Sequence, residues 1–142
     1  MPCCGIWEKF GGEKNLIKEY KYWKLLVGYK NKGLGYCVVI TKEHHESLAD
    51  LSDEEMVEYR LVVKELEGAL KKLFNYDRIH HLLLMFYDNH THFHIFPRYK
   101  ELRNFAGMEW IDDFAPNPLG KNLPKISQDV INQIKEAIKE NL

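Results

Sequence analysis

Along this chain, apolar positions alternate, cluster or recur at a helical period in distinct stretches, and each stretch predicts an element. From Tyr20 the segment YKYWKLLVGY alternates and then turns apolar, Lys30-Asn31-Lys32-Gly33 has turn composition, and Leu34 to Thr41 is rich in β-formers. A β-hairpin is predicted there. Ser52 and Glu55 then have the spacing of a capping box, with Asp53 and Glu54 favouring the positive end of a helix. Behind them Met56, Val57, Tyr59, Leu61, Val63, Leu66, Leu70, Leu73 and Phe74 keep a roughly helical period until Asn75-Tyr76-Asp77 ends it. This predicts one long helix with a face to bury against a sheet. Two more strands, Ile79 to Tyr87 and His90 to Tyr99, are expected to form a second hairpin through Asp88-Asn89, residues that tolerate a tight reversal. Residues 101–142 open on a loop carrying Gly107, Trp110, Pro116, Pro118 and Pro124, and Ser127 starts a final helix whose apolar side is Val130, Ile131, Ile134, Ala137 and Ile138. Residues 1–19 have weak periodicity and a Gly11-Gly12 pair, and read as an arm or short helix lying on the domain rather than in its core.

At 142 residues the chain has the size of a single domain, with residues 20–100 as its core. A formal charge of -1 gives no whole-chain attraction to polyanions, so any phosphate site must be local. Lysines and aromatics do interleave between Lys9 and Lys32, but glutamates are mixed among them, and lysine is the usual tenant of a solvent-facing strand position. No nucleic-acid partner is expected. No apolar run approaches the roughly 20 residues of a membrane helix, and MPCCGIWEKF lacks the charged-then-apolar order of a secretion signal, so the expected setting is soluble and cytoplasmic. Cys3, Cys4 and Cys37 suit neither a disulfide framework nor a Cys-x-x-Cys zinc knuckle.

The chemistry concentrates in His90-Thr91-His92-Phe93-His94, where histidines recur at every second position. In an extended strand these three share one face, about 6.6 Å apart at Cα, while Phe93 and Ile95 take the core side. Three readings follow. The row is a solvent-facing accident, or a metal site completed by His44, His80 or His81, or a device for chemistry at phosphorus. In the last, the middle imidazole attacks and its neighbours stabilise charge on either side.

The run His90 to Tyr99, with strand Leu34 to Thr41, Lys42-Glu43-His44 and the acid-capped stretch Leu48 to Glu55 ahead of it, resembles the histidine-triad (HIT) family of nucleotide hydrolases and transferases, in the branch whose triad is followed by Pro-Arg-Tyr. The resemblance implies an α+β fold, an antiparallel sheet with one long helix packed on it and a C-terminal helix. It implies His92 as the nucleophile that forms a nucleotidyl-histidine at the α-phosphate, with His90 and His94 orienting it or bonding the phosphate. The implied substrate is an adenosine polyphosphate or a nucleoside phosphoramidate, and the implied assembly a homodimer. No cofactor is required, beyond a divalent cation that accompanies a polyphosphate substrate. His44 matches a supporting histidine, which in zinc-bearing relatives ligates metal with the first triad histidine and a Cys-x-x-Cys pair; without that pair, no metal is expected.

Substrate contacts are expected from His44, Asn89, His80, Arg98 and Trp110, the last lining a base pocket with Phe105. For Arg98 the alternative is a structural ion pair, and for Trp110 it is packing of the C-terminal segment. The chain departs from the family at Gly28, where relatives hold ribose with an acid or amide, at His80, where an asparagine is usual, and at Met85-Phe86, where a Gly-Asn pair is usual. Two other functions stand beside the enzyme: a nucleotide-binding or interaction module with little catalysis, and a metal-dependent hydrolase using the histidine row.

Overall fold

A computed structural model describes residues 4–28, 33–112 and 125–142. The Lys30-Asn31-Lys32 turn, Cys3 and the prolines of the C-terminal loop lie outside the described residues. Five strands form one antiparallel sheet, β1 (Leu16–Glu19), β2 (Trp23–Val27), β3 (Cys37–Thr41), β4 (Arg78–Leu83) and β5 (His92–Arg98), in the spatial order β1-β2-β3-β5-β4. The predicted hairpin pairs β2 with β3, Leu25 opposite Val39 and Leu26 opposite Val38.

Helix α2 (Asp53–Phe74) starts on the predicted capping box, in which the Ser52 hydroxyl accepts from the Glu55 N–H and the Glu55 carboxylate accepts from the Ser52 N–H, and Asn75 ends it in the left-handed conformation. Its buried residues Val62, Leu66, Ala69, Leu70 and Phe74 join Trp23, Leu25, Val39, Phe93 and Ile95 from one sheet face. Ile131, Ile134 and Ile138 of α3 (Gln128–Asn141) complete that layer. Each large apolar side chain removed from water here contributes roughly 1.5–3 kcal/mol. Among the described residues no helix is long and apolar enough to cross a membrane.

Two expectations need correction. Residues 4–19 are not a peripheral arm: they supply the short helix α1 (Ile6–Lys9), a 3-10 turn and edge strand β1. Ile6 and Phe10 are 2% and 1% exposed in a second core with Leu26, Tyr36, Val38, Ile40 and Phe96, on the sheet face opposite α2. Ile6, Trp7 and Phe10, in a short, glycine-broken stretch, have no period to detect, yet they pack on this face of the sheet. The second hairpin also lacks its tight turn, because β4 stops at Leu83 and β5 starts at His92. Thr91 explains the late start. Its N–H and its hydroxyl both donate to the His45 carbonyl, at 2.8 and 2.7 Å, so the chain is tied to the loop after β3 instead of to β4. A small hairpin not foreseen, β6 (Arg103–Phe105) with β7 (Met108–Trp110), turns at Ala106 and Gly107, both at positive φ.

Candidate functional site

The even-numbered residues of β5 face the α1 side of the sheet, since Ile40 and Val38 sit opposite His92 and His94 and both belong to the second core. His92 and His94 are therefore neighbours on one face, ring centroids 4.9 Å apart and nearly perpendicular. Phe10 closes over both, its centroid 5.5 Å from His92 and 5.8 Å from His94. His92 is 1% exposed. Lys9, next to Phe10, makes a 2.5 Å ion pair with Asp88 and ties α1 to the loop that precedes the row.

Hydrogen bonds to carbonyls assign the ring protons, because a carbonyl oxygen only accepts. His92 Nδ1 lies 2.7 Å from the His90 oxygen and so carries the proton, leaving the lone pair on Nε2. His90 Nε2 lies 2.7 Å from the Thr41 oxygen and carries its proton there, leaving the lone pair on Nδ1. Burial holds both imidazoles below the ordinary histidine range, as the charged form loses its water. At His92 the His90 carbonyl and Asp88 oppose that fall and Lys9 adds to it. The ring is thus neutral at neutral pH, with a defined nucleophilic nitrogen.

His90 is not in register with the other two. It precedes β5 and turns, fully buried, toward the end of β3, where its Nδ1 is 3.2 Å from His44 Nδ1 and 3.3 Å from Cys4 Sγ. The ligand atoms of Cys4, His44 and His90 all lie within 4.8 Å of one another. One thiol and two imidazoles are donors that zinc favours, and they fill three of the four positions of a tetrahedral site. The bond from His90 Nε2 to the Thr41 carbonyl is the kind of outer contact that orients a ligating imidazole. The donor set fits the metal. Cys4 was missed in the sequence because its spacing from any other cysteine is wrong; its partners come from 40 and 86 residues away, beyond any local motif.

The other expected contacts divide. His44 reaches the row through His90, and Asn89 joins it at the rim, donating to Glu46 Oε1 at 3.0 Å, the oxygen 3.3 Å from His44 Nε2. His80 is on the triad face but opposite Phe96, beyond His94, where its Nε2 is 3.4 Å from Arg98. Arg98 takes the structural alternative: 5% exposed, it donates from Nε to Asp112 at 2.8 Å, and the same oxygen accepts from the Tyr99 N–H. Trp110 does too, buried in the α2–α3 layer with Nε1 donating to the Phe105 carbonyl. Neither residue is brought to the triad. Arg98 lies further along the triad face, beside His80, and Trp110 packs on the opposite face of the sheet. Phe86, 88% exposed, does not enter the row either.

In sequence, residues 12–101 match the HIT domain family, and among curated proteins none matches the chain. The fold is shared with several solved structures. A histidine triad protein from Sinorhizobium meliloti superposes with a TM-score of 0.72 at 14% identity, covering 96% of this chain and 93% of that one. The diadenosine triphosphate hydrolase of Plasmodium falciparum, solved with cyclomarin A, gives 0.65 at 18% identity, covering 90% and 76%. A zinc-bound histidine triad family protein from Mycobacterium smegmatis gives 0.59 at 17% identity, covering 88% and 84%.

Proposed function

This chain belongs to the HIT domain family, and from that premise we propose that it is an enzyme that hydrolyses or transfers a nucleotide at its α-phosphorus. The substrate is an adenosine polyphosphate or a nucleoside phosphoramidate. One observation carries the reading: His92 Nδ1 lies 2.7 Å from the His90 carbonyl, to which its N–H donates, which leaves the lone pair on Nε2. That lone pair forms a bond to the α-phosphorus while the bond to the leaving oxygen or nitrogen breaks and its electron pair departs with the leaving group. Water or another acceptor then attacks the nucleotidyl-histidine, the P–N bond breaks with its electron pair returning to His92 Nε2, and the proton the acceptor sheds balances the one the leaving group takes up. In this reading His94, whose ring neighbours that of His92, hydrogen-bonds a phosphoryl oxygen. The test is mass spectrometry of protein quenched without acid after mixing with a panel of nucleotides. A nucleotidyl adduct mapping to His92 is expected; turnover without any adduct, or an adduct on another residue, overturns the assignment.

The donor set at Cys4, His44 and His90 belongs to the same reading, supported by the zinc in the Mycobacterium relative. An ion there would hold the N-terminal segment to the ends of β3 and β5, and its chemistry would be structural, with no metal needed at phosphorus. Two results are expected. Turnover survives exhaustive chelation, and added zinc raises the melting temperature of the wild type but not of Cys4→Ser, as mass action requires for a ligand of the folded state. Loss of turnover on chelation, restored by zinc, would favour the metal-dependent hydrolase instead.

The homodimer is part of this proposal as well. β4 is an open edge of the sheet, followed by the exposed Leu84, Phe86 and Tyr87, and an unpaired strand edge is a template for a second chain. Sedimentation as a monomer at micromolar concentration contradicts it.

A further inference from the structure

Tyr36 lies outside the histidine row, yet it is built into it. It follows Gly35 ahead of β3 on the triad face and is 5% exposed. Its ring stacks on Phe96, centroids 4.5 Å apart and planes 3° from parallel, and its hydroxyl lies 2.8 Å from His94 Nδ1. Across the sheet it faces Gly28, whose N–H donates to the Tyr36 carbonyl at 2.8 Å. A Cβ built on Gly28 would stand 2.0 Å from Tyr36 Cδ2 and 2.5 Å from Cε2, so any side chain at 28 evicts the ring. The glycine that looked like a lost ribose contact is the space in which Tyr36 sits.

His90 and His92 have their protons assigned by backbone carbonyls, whereas a phenol stands at His94 Nδ1. A phenol with a reference pKa of about 10 is the better donor, and a neutral imidazole nitrogen the better acceptor. We propose that Tyr36 is the positioning residue of His94: its hydroxyl donates to Nδ1, fixes the ring proton on Nε2, and so presents His94 to the substrate as a hydrogen-bond donor. The two working rings of the row are then held in opposite tautomers. His92 offers a lone pair from Nε2 and His94 offers a proton from Nε2. A phosphoryl group needs both at once, a nucleophile and a donor to the oxygen on which charge collects.

The kinetic consequence rests on the nucleotidyl-transfer reading; the tautomer does not, and the experiment separates them. In long-range proton–nitrogen NMR spectra of the neutral wild type, His94 should show an unprotonated Nδ1 and a protonated Nε2. Tyr36→Phe keeps the ring stack and removes only the hydroxyl, so the His94 pattern should shift toward a mixture of tautomers while His92 and His90 keep theirs. Turnover should fall roughly tenfold in kcat, the loss of one hydrogen bond, with KM changed by less than about twofold. Gly28→Ala should give the same loss by displacing the ring, and adding Tyr36→Phe to it should cost nothing further, because both remove one contact. A protonated His94 Nδ1 in the wild type, or a His94 spectrum unmoved by Tyr36→Phe, overturns the proposal. If no nucleotide is turned over by any form while the His94 spectra behave as expected, the enzymatic reading fails and the tautomer assignment stands.

Discussion

Replacing His92 with asparagine is expected to remove turnover by roughly three to four orders of magnitude, the scale at which loss of a working group leaves only binding and charge stabilisation. The reason is specific to this ring. Asparagine can still donate an amide proton toward the His90 carbonyl that now holds Nδ1, so the local backbone keeps its partner, but it has no basic nitrogen to bond to phosphorus. The nucleotidyl adduct should disappear with the turnover, and nucleotide affinity should change far less. Thermal melting must accompany the assay. His92 is 1% exposed and packs on Phe10, so a modest drop in melting temperature is expected from the smaller side chain. A folded variant that retains most of its activity would falsify the assignment of the nucleophile.

Phe10→Ala tests the other half of the site, its cover. Removing a fully buried phenylalanine costs about 3–5 kcal/mol, a large share of the 5–15 kcal/mol that holds a typical domain together. The same change should alter chemistry through His92. Burial is the leading cause that holds this imidazole below its ordinary range of about 6.5, and Phe10 supplies part of that burial. In the wild type, activity should therefore persist below pH 6.5 and fall only as His92 takes a proton and loses its lone pair. In Phe10→Ala, water reaches the ring, the pKa climbs back toward the reference value, and the acid limb of kcat/KM moves to higher pH. Stability shows the same linkage. A group whose folded pKa is depressed contributes stability above its unfolded pKa and loses it as pH falls through the folded value. The protein should thus weaken on acidification from about pH 6.5 downward, as His90 and His92 are forced to charge. An acid limb that stays in place in a folded Phe10→Ala protein would show that Phe10 does not set the environment of His92.

The long helix, its Ser52 cap, the paired strands around Leu34–Thr41 and the shared face of His92 and His94 were legible in the residues, because each is written in neighbours a few positions apart, whereas His90, expected in the same register, precedes β5. A capping box spans four residues and a strand alternates every two, so local order carries them. The resemblance carried by the row and its upstream context led to the right family. What lay outside local order was decided by packing. Phe10 covers His92 from the far end of the chain, Cys4 meets His44 and His90, and Thr91 donates twice to the His45 carbonyl. Arg98 and Trp110 look like ligands when read as residue types; Asp112 and the α2–α3 layer turn them into structure. By itself the sequence determined that His92 and His94 share one strand face and that one long capped helix packs on the sheet. Only the tertiary structure decided where His92 and His90 keep their protons, since a carbonyl oxygen only accepts and stands opposite one nitrogen of each ring: the His90 carbonyl for His92 and the Thr41 carbonyl for His90.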